Sequence, residues 1–141
     1  MRSVFVDSSA WYALADTSDE WHQRARGIYP LLLKDGRLIT TNLVLAETYT
    51  LIRYALGWSN AITFLDRVKS SPRIEVARAD GELEDVALAI LRQYRDHRFS
   101  YTDGVSFAVM KALSLDEAFT FDGHFATAGF RMISRSSTRR G

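Results

Sequence analysis

The sequence predicts an α/β fold with a short, mostly parallel sheet flanked by helices. Short apolar segments of strand length alternate along the chain with longer segments whose apolar residues recur at helical spacing. This alternation indicates a parallel sheet, because parallel neighbours must be joined by a crossover that is usually a helix. The chain has 141 residues, 47% of them hydrophobic, which suits one domain with a substantial core.

The first third of the chain predicts two strands and two helices. Ser3–Val6 is an apolar segment of strand length, and Asp7 after it is a favourable cap for the helix that begins AWYALA. From Asp19 to Lys34 the apolar residues recur at helical spacing, which predicts a second helix that ends at Asp35-Gly36. Leu38–Thr40 is the second predicted strand.

The middle of the chain predicts two helices and a third strand. The first of these helices begins at Thr41-Asn42 and ends at about Leu56, where Gly57 stops it. A further helix spans Ser59–Lys69, and Ile74–Val76 is the third strand.

The last third predicts two more helices and two short strands. Asp80 caps a long helix, and another helix runs from about Thr102 to Leu113. The strand Ala118–Phe121 follows, and Met132-Ile133 is the last one. We assign residues 1–133 to one domain.

Composition excludes several classes of protein. The chain has no cysteine, so it has neither a disulfide framework nor a thiolate metal site. No apolar run approaches the length of a membrane span, and the N-terminal segment MRSVFVDSSAW does not resemble a secretory signal. We therefore expect a cytoplasmic protein without membrane contact.

Net charge is +1, from 18 basic and 17 acidic residues. The segment SRSSTRRG at 134–141 holds three arginines and no acid, and it is predicted to be a basic, mobile tail. Without it the chain has 15 basic and 17 acidic residues, so the domain is not a general polyanion binder.

Two acidic residues follow predicted strands. Asp7 comes directly after the first strand, and Asp122 comes directly after Ala118–Phe121. If the two strands are parallel, both carboxylates lie at the carboxyl edge of the sheet, where open α/β sheets bind ligands. An ordinary Asp-Gly turn would also explain Asp122.

Two further acids lie in helices. Glu47 is surrounded at helical spacing by apolar and hydroxyl residues and has no local basic partner, although its side chain could simply reach solvent. Asp103 completes a capping-box pattern with Ser100, which is a sufficient structural explanation for Asp103 alone. Four converging carboxylates would need a cation, and oxygen ligands without cysteine favour Mg²⁺ or Mn²⁺.

The chain resembles the PIN domain family, and within it most resembles the VapC toxins of bacterial toxin–antitoxin pairs. The resemblance lies in four segments that occur in the family's order: VFVDSSAW, NLVLAETYTL, SYTDGVSFAVM and AFTFDGHFATAGF. It implies a three-layer α/β/α fold and a Mg²⁺-dependent endoribonuclease, with Mn²⁺ as a substitute ion, that hydrolyses RNA phosphodiester bonds through a metal-activated water.

The resemblance also implies the site. The family's acidic residues correspond to Asp7, Glu47, Asp103 and Asp122, which we expect to hold the metal ion, and its accompanying hydroxyl corresponds to Thr120. It further implies a homodimer and a VapB-like antitoxin that covers the acidic site. His22 and His97 are expected to face solvent, and His124 is weighed as a neighbour of the scissile phosphate but not assigned to the site.

Three other functions stay open at this point. The domain could be a PIN-domain ribonuclease of RNA maturation rather than a toxin, or a silent module that binds RNA or protein without cutting. A phosphatase with an aspartyl nucleophile at Asp7 is disfavoured, because the second acid expected two residues later is Ser9.

Overall fold

The computed structural model describes residues 2–134, which form a parallel sheet flanked by helices. Within these residues the five strands are β1 (Arg2–Val6), β2 (Gly36–Thr41), β3 (Ile74–Ala77), β4 (Glu117–Phe119) and β5 (Arg131–Ile133). The helices are α1 (Ser8–Ala15), α2 (His22–Asp35), α3 (Asn42–Leu56), α4 (Trp58–Ser70), α5 (Gly81–Gln93), α6 (Tyr101–Ala112) and α7 (His124–Thr127).

The sheet has the order β3-β2-β1-β4-β5, and every neighbouring pair is parallel. The predicted α/β fold is therefore confirmed. From the central strand β1 the chain builds outward in both directions, first through β2 and β3 and later through β4 and β5. A crevice at the carboxyl ends of the strands is expected where the direction of building reverses, between β1 and β4.

The core lies against the central strands. Val4, Phe5 and Val6 of β1 are at most 1% exposed, as expected for a strand covered on both faces. Phe5 packs against Phe125 at 6.1 Å between ring centroids, and Phe125 meets Phe107 of α6 at 4.9 Å. This aromatic contact fixes the segment that follows β4 against α6.

Capping residues set the starts of the helices where the sequence predicts them. The side chains of Asp7, Thr41 and Asp80 cap α1, α3 and α5 respectively. Ser100 and Asp103 form the predicted capping box at the start of α6. Gly57, with φ 94°, ends α3 in a conformation that other residues rarely adopt.

Three of the differences between the structure and the predictions have a clear physical reason. β4 ends at Phe119, two residues before the predicted end, because Thr120 turns to bond with other groups. The helix α2 begins at His22 rather than Asp19, since Asp19 accepts hydrogen bonds in the preceding turn. The four-residue helix α7 was not predicted, because one turn is too short to show a periodic pattern.

Two further expectations concern surface residues and the tail. His22 is 9% exposed and its Nδ1 lies 2.7 Å from the carbonyl oxygen of Ala13, so the expectation that it faces solvent is wrong. His97 is exposed, as expected. The predicted basic tail lies outside the described residues except for Ser134.

Candidate active site

A cavity of about 470 Å³ lies at the carboxyl end of the sheet. Asp7 reaches it from the end of β1, Glu47 from α3, Asp103 from the first turn of α6, and Asp122 from the turn after β4. The fold therefore brings all four acids predicted from the sequence to one cavity, although they are distant in sequence.

Asp7 is the most deeply buried of these acids, at 3% exposure. Its Oδ2 accepts hydrogen bonds from the backbone nitrogen of Ser9 at 3.3 Å, from Ser9 Oγ at 2.9 Å and from Thr120 Oγ1 at 3.0 Å. Burial raises the pKa of Asp7 to about 6, although the hydrogen bonds from Ser9, Ser8 and Thr120 oppose that rise. A cation beside this carboxylate would offset the penalty of burying its charge.

Thr120 connects the first acid to the fourth. Its Oγ1 donates to Asp7 and accepts from the backbone nitrogen of Asp122 at 3.0 Å. The side chain is fully buried, and Ser9 Oγ lies 3.2 Å from the same hydroxyl. The backbone nitrogen of Phe121 donates to Ser9 Oγ at 2.9 Å. These bonds hold the turn after β4 against the start of α1, so Thr120 and Ser9 position the carboxylates.

Asp103 serves the helix and the cavity at once. Its Oδ2 accepts from the backbone nitrogen of Ser100 at 2.9 Å, which is the returning bond of the capping box. The same oxygen lies 3.0 Å from Nδ1 of His124. The capping box predicted from the sequence is therefore present, and Asp103 lines the cavity as well.

His124 joins the acidic group through the first turn of α7. Asp122 Oδ1 accepts from the backbone nitrogen of His124 at 2.9 Å and lies 3.6 Å from its Nδ1. The ligand atoms of Asp103, Asp122 and His124 lie within 4.8 Å of one another, so these three side chains could hold a metal ion. Two carboxylates and one imidazole suit a divalent ion that prefers oxygen ligands and tolerates nitrogen.

Glu47 is anchored separately from this group. Ser8 Oγ donates to Glu47 Oε1 at 2.6 Å, which ties the first residue of α1 to α3. Asp7 and Glu47 share the cavity with the other acids, but among residues 2–134 the compact three-residue group does not include them. The site as folded is thus a compact group that shares its cavity with two separately anchored carboxylates.

Sequence reasoning missed several residues of the cavity. His124 was weighed but not chosen, although its position two residues after Asp122 was the available signal. Asp19 and Arg98 also line the cavity, and no spacing in the sequence connects either of them to the four acids. They reach the site through loops, which periodic patterns do not describe.

This chain is similar in sequence to known proteins. A family model described as PIN domain matches residues 4–131. The 23S rRNA-specific endonuclease VapC20 of Mycobacterium tuberculosis (strain H37Rv) is 33% identical over 127 residues, which cover 90% of this chain and 95% of that protein. A protein named VapC ribonuclease, from Archaeoglobus fulgidus, is 28% identical over 127 residues, which cover 88% of this chain and 80% of its own length.

Solved structures give the same result. The crystal structure of Mycobacterium tuberculosis VapC20, titled a sarcin-ricin loop cleaving toxin, has a TM-score of 0.84 at 31% identity and covers 90% of this chain and 95% of its own. VapBC2 from Rickettsia felis, bound to a DNA fragment from its promoter, has a TM-score of 0.71 at 13% identity and covers 94% and 98%, a likeness of fold alone. By sequence and by fold, this chain belongs to the PIN domain family and is similar to the VapC toxins within it.

Proposed function

We propose that this protein is a metal-dependent endoribonuclease that acts as the toxin of a VapBC-type toxin–antitoxin pair. The observation that carries the proposal is the meeting of four acids from distant segments in one cavity, with a compact group of potential ligands among the residues that line it. The identity to a named endonuclease over nine-tenths of the chain supports the same activity.

Asp103, Asp122 and His124 would hold the ion, and Asp7 and Glu47 line the same cavity. Mg²⁺ is the ion we assign, with Mn²⁺ as its substitute. When bound, such an ion lowers the pKa of a coordinated water and offsets negative charge on a phosphate. The donor set fits this ion, because carboxylate oxygens dominate it and the buried Asp7 carboxylate lacks a cationic partner within residues 2–134.

The chain's own residues orient the carboxylate of Asp7 and an attacking water. Thr120 and Ser9 both donate hydrogen bonds to Oδ2 of Asp7, and these bonds fix the orientation of the carboxylate in the cavity. Glu47, held by Ser8, is placed to accept a proton from an attacking water or to orient it. The products would be a 5′-phosphate and a 3′-hydroxyl, as the resemblance implies.

Protein partners follow from the surface beside the cavity. Leu51 lines the cavity and is 44% exposed, and Tyr54, later in α3, and Trp58, the first residue of α4, are 86% and 57% exposed. Large exposed hydrophobic side chains are suited to a protein interface. We assign this surface to a homodimer partner or to the antitoxin, a VapB-like protein. No helix within residues 2–134 has the length and apolar character that crossing a membrane requires.

The direct test is cleavage of purified RNA by purified protein. The full chain is incubated with 23S rRNA or with a hairpin of its sarcin–ricin loop, in Mg²⁺, Mn²⁺ or EDTA. We expect cleavage with either ion, none in EDTA, and none by the Asp7→Asn variant. RNA that stays intact in both Mg²⁺ and Mn²⁺, or cleavage that persists in EDTA, would contradict the proposal. A silent RNA-binding module would bind the hairpin and leave it intact.

A further inference from the structure

Arg98 lines the cavity and has no role in the function proposed above. It lies in the loop that joins α5 to α6, two residues before the capping Ser100. Among the described residues that line the cavity, five carry carboxylates and Arg98 alone carries a guanidinium; the carboxylates are those of Asp7, Asp19, Glu47, Asp103 and Asp122. No lysine lines it.

The loop that carries Arg98 is held by aromatic contacts. The ring of Phe99 lies 5.1 Å from that of Tyr94 and 5.6 Å from that of His97, measured between centroids. Phe99 also contacts Phe107 of α6 at 5.1 Å and His124 at 5.1 Å. The backbone on either side of Arg98 is thereby packed against the same elements that carry Asp103 and the compact ligand group.

Arg98 makes no ion pair with a carboxylate of residues 2–134. The pairs found within 4.0 Å there involve Arg2, Arg37, Arg131 and His124. An exposed guanidinium that borders five acids and pairs with none of them remains available to an anion that enters the cavity. Guanidinium groups bind phosphate through paired hydrogen bonds, which suits the backbone of a nucleic acid.

We propose that Arg98 binds a phosphate of the RNA backbone near the scissile bond, and so raises the affinity of the acidic cavity for the strand. This inference rests on the proposed ribonuclease function. In the absence of Arg98, the five carboxylates would repel a polyanionic strand, and only a bound divalent ion would offset their negative charge. Arg98 is thus a substrate-binding residue rather than a metal ligand.

The experiment measures binding and cleavage separately. Binding of a labelled single-stranded RNA of mixed sequence is measured in the Asp7→Asn background, in Mg²⁺, over a range of salt concentrations. Arg98→Ala and Arg98→Lys are compared with Arg95→Ala, a control in the same segment whose exposed side chain does not line the cavity. Cleavage kinetics of the single variants are measured in the parent background with the RNA that the parent cuts.

We expect Arg98→Ala to weaken RNA binding roughly tenfold, as for loss of a charged hydrogen bond, and to reduce the salt slope by about 0.7, the value for one phosphate contact on a single strand. Arg98→Lys should retain the slope, and Arg95→Ala should behave as the parent. In cleavage, KM should rise while kcat is unchanged, because a backbone contact is made equally in the ground and transition states.

The outcomes separate this inference from the function on which it rests. If the parent neither binds nor cuts RNA in Mg²⁺, the ribonuclease function fails and the role of Arg98 fails with it. If the parent cuts RNA and Arg98→Ala binds and cuts as Arg95→Ala does, only the role of Arg98 is refuted. A fall in kcat with unchanged salt slope would also refute it.

Discussion

Replacement of Asp7 by asparagine should stabilise the metal-free protein and abolish cleavage at the same time. Asparagine is close in size to aspartate, and its side-chain oxygen can accept the bonds that Ser9 and Thr120 donate to Asp7. What the change removes is the buried charge. The side chain is 3% exposed, so water screens little of that charge.

The size of the effect follows from the pKa of Asp7, which burial raises from 3.8 to about 6. Between these two values the folded protein holds a proton that the unfolded chain has released, so stability falls as pH rises through this window. The full difference is about 3 kcal/mol above pH 6, at about 1.4 kcal/mol for each pKa unit. Below pH 3.8 both states are protonated, and the difference disappears.

The assay is urea denaturation of the parent and of Asp7→Asn in EDTA, at pH 8 and at pH 4. We expect the variant to be more stable by up to about 3 kcal/mol at pH 8 and by only about 0.6 kcal/mol at pH 4, where most of the difference has disappeared. Added Mg²⁺ should stabilise the parent more than the variant, since the ion binds near the carboxylate that the variant lacks. A variant that is less stable at pH 8, or a gain of the same size at both pH values, would refute the reasoning.

Three further changes test the fold and the arrangement of the site. Gly36→Ala should destabilise the protein by about 3 kcal/mol in urea denaturation, because the added Cβ would lie 1.8 Å from the carbonyl oxygen of Arg2. As a control, the Cβ of Gly27→Ala would meet nothing within 4 Å, so this change should be neutral or stabilising. Asp103→Ala should lose about 1 kcal/mol of stability with the capping box, and Asp103→Asn should keep it, while both lose cleavage. Thr120→Val removes the hydroxyl that donates to Asp7 and should lower the rate of RNA cleavage about tenfold, by analogy with residues that support metal ligands. Thr120→Ser keeps a hydroxyl and should cleave at close to the parent rate. Equal rates for the two variants would contradict the positioning role of Thr120.

Much of the fold is predictable because local chemistry and global arrangement agree. Asp7, Thr41 and Asp80 cap helices where the sequence places caps, and the strand segments alternate with helices as a parallel sheet requires. The strand β1 is buried on both faces, and its continuous run of apolar residues has the pattern expected of such a strand. In these segments the residue pattern and the packing demand the same structure.

The rest depends on contacts that spacing along the chain does not encode. The four acids were predicted to converge, and they do share one cavity, but the compact group is formed by two of them with His124. That choice depends on the single turn of α7 and on the packing of Phe125, which no periodic pattern reveals. His22 was misjudged for a similar reason, since a carbonyl oxygen nine residues away satisfies it in the interior.

The pairing of β1 with β4 has a consequence for the newly made protein. β1 is synthesised first, yet one of its two neighbours in the sheet begins at Glu117, more than a hundred residues later. A nascent chain that has not yet released this strand from the ribosome lacks both the support for Asp7 from Thr120 and the carboxylate of Asp122. The proposed site needs these groups, so we expect fragments that end before Asp122 not to cleave RNA, and activity to begin only after translation has passed the codon for Asp122.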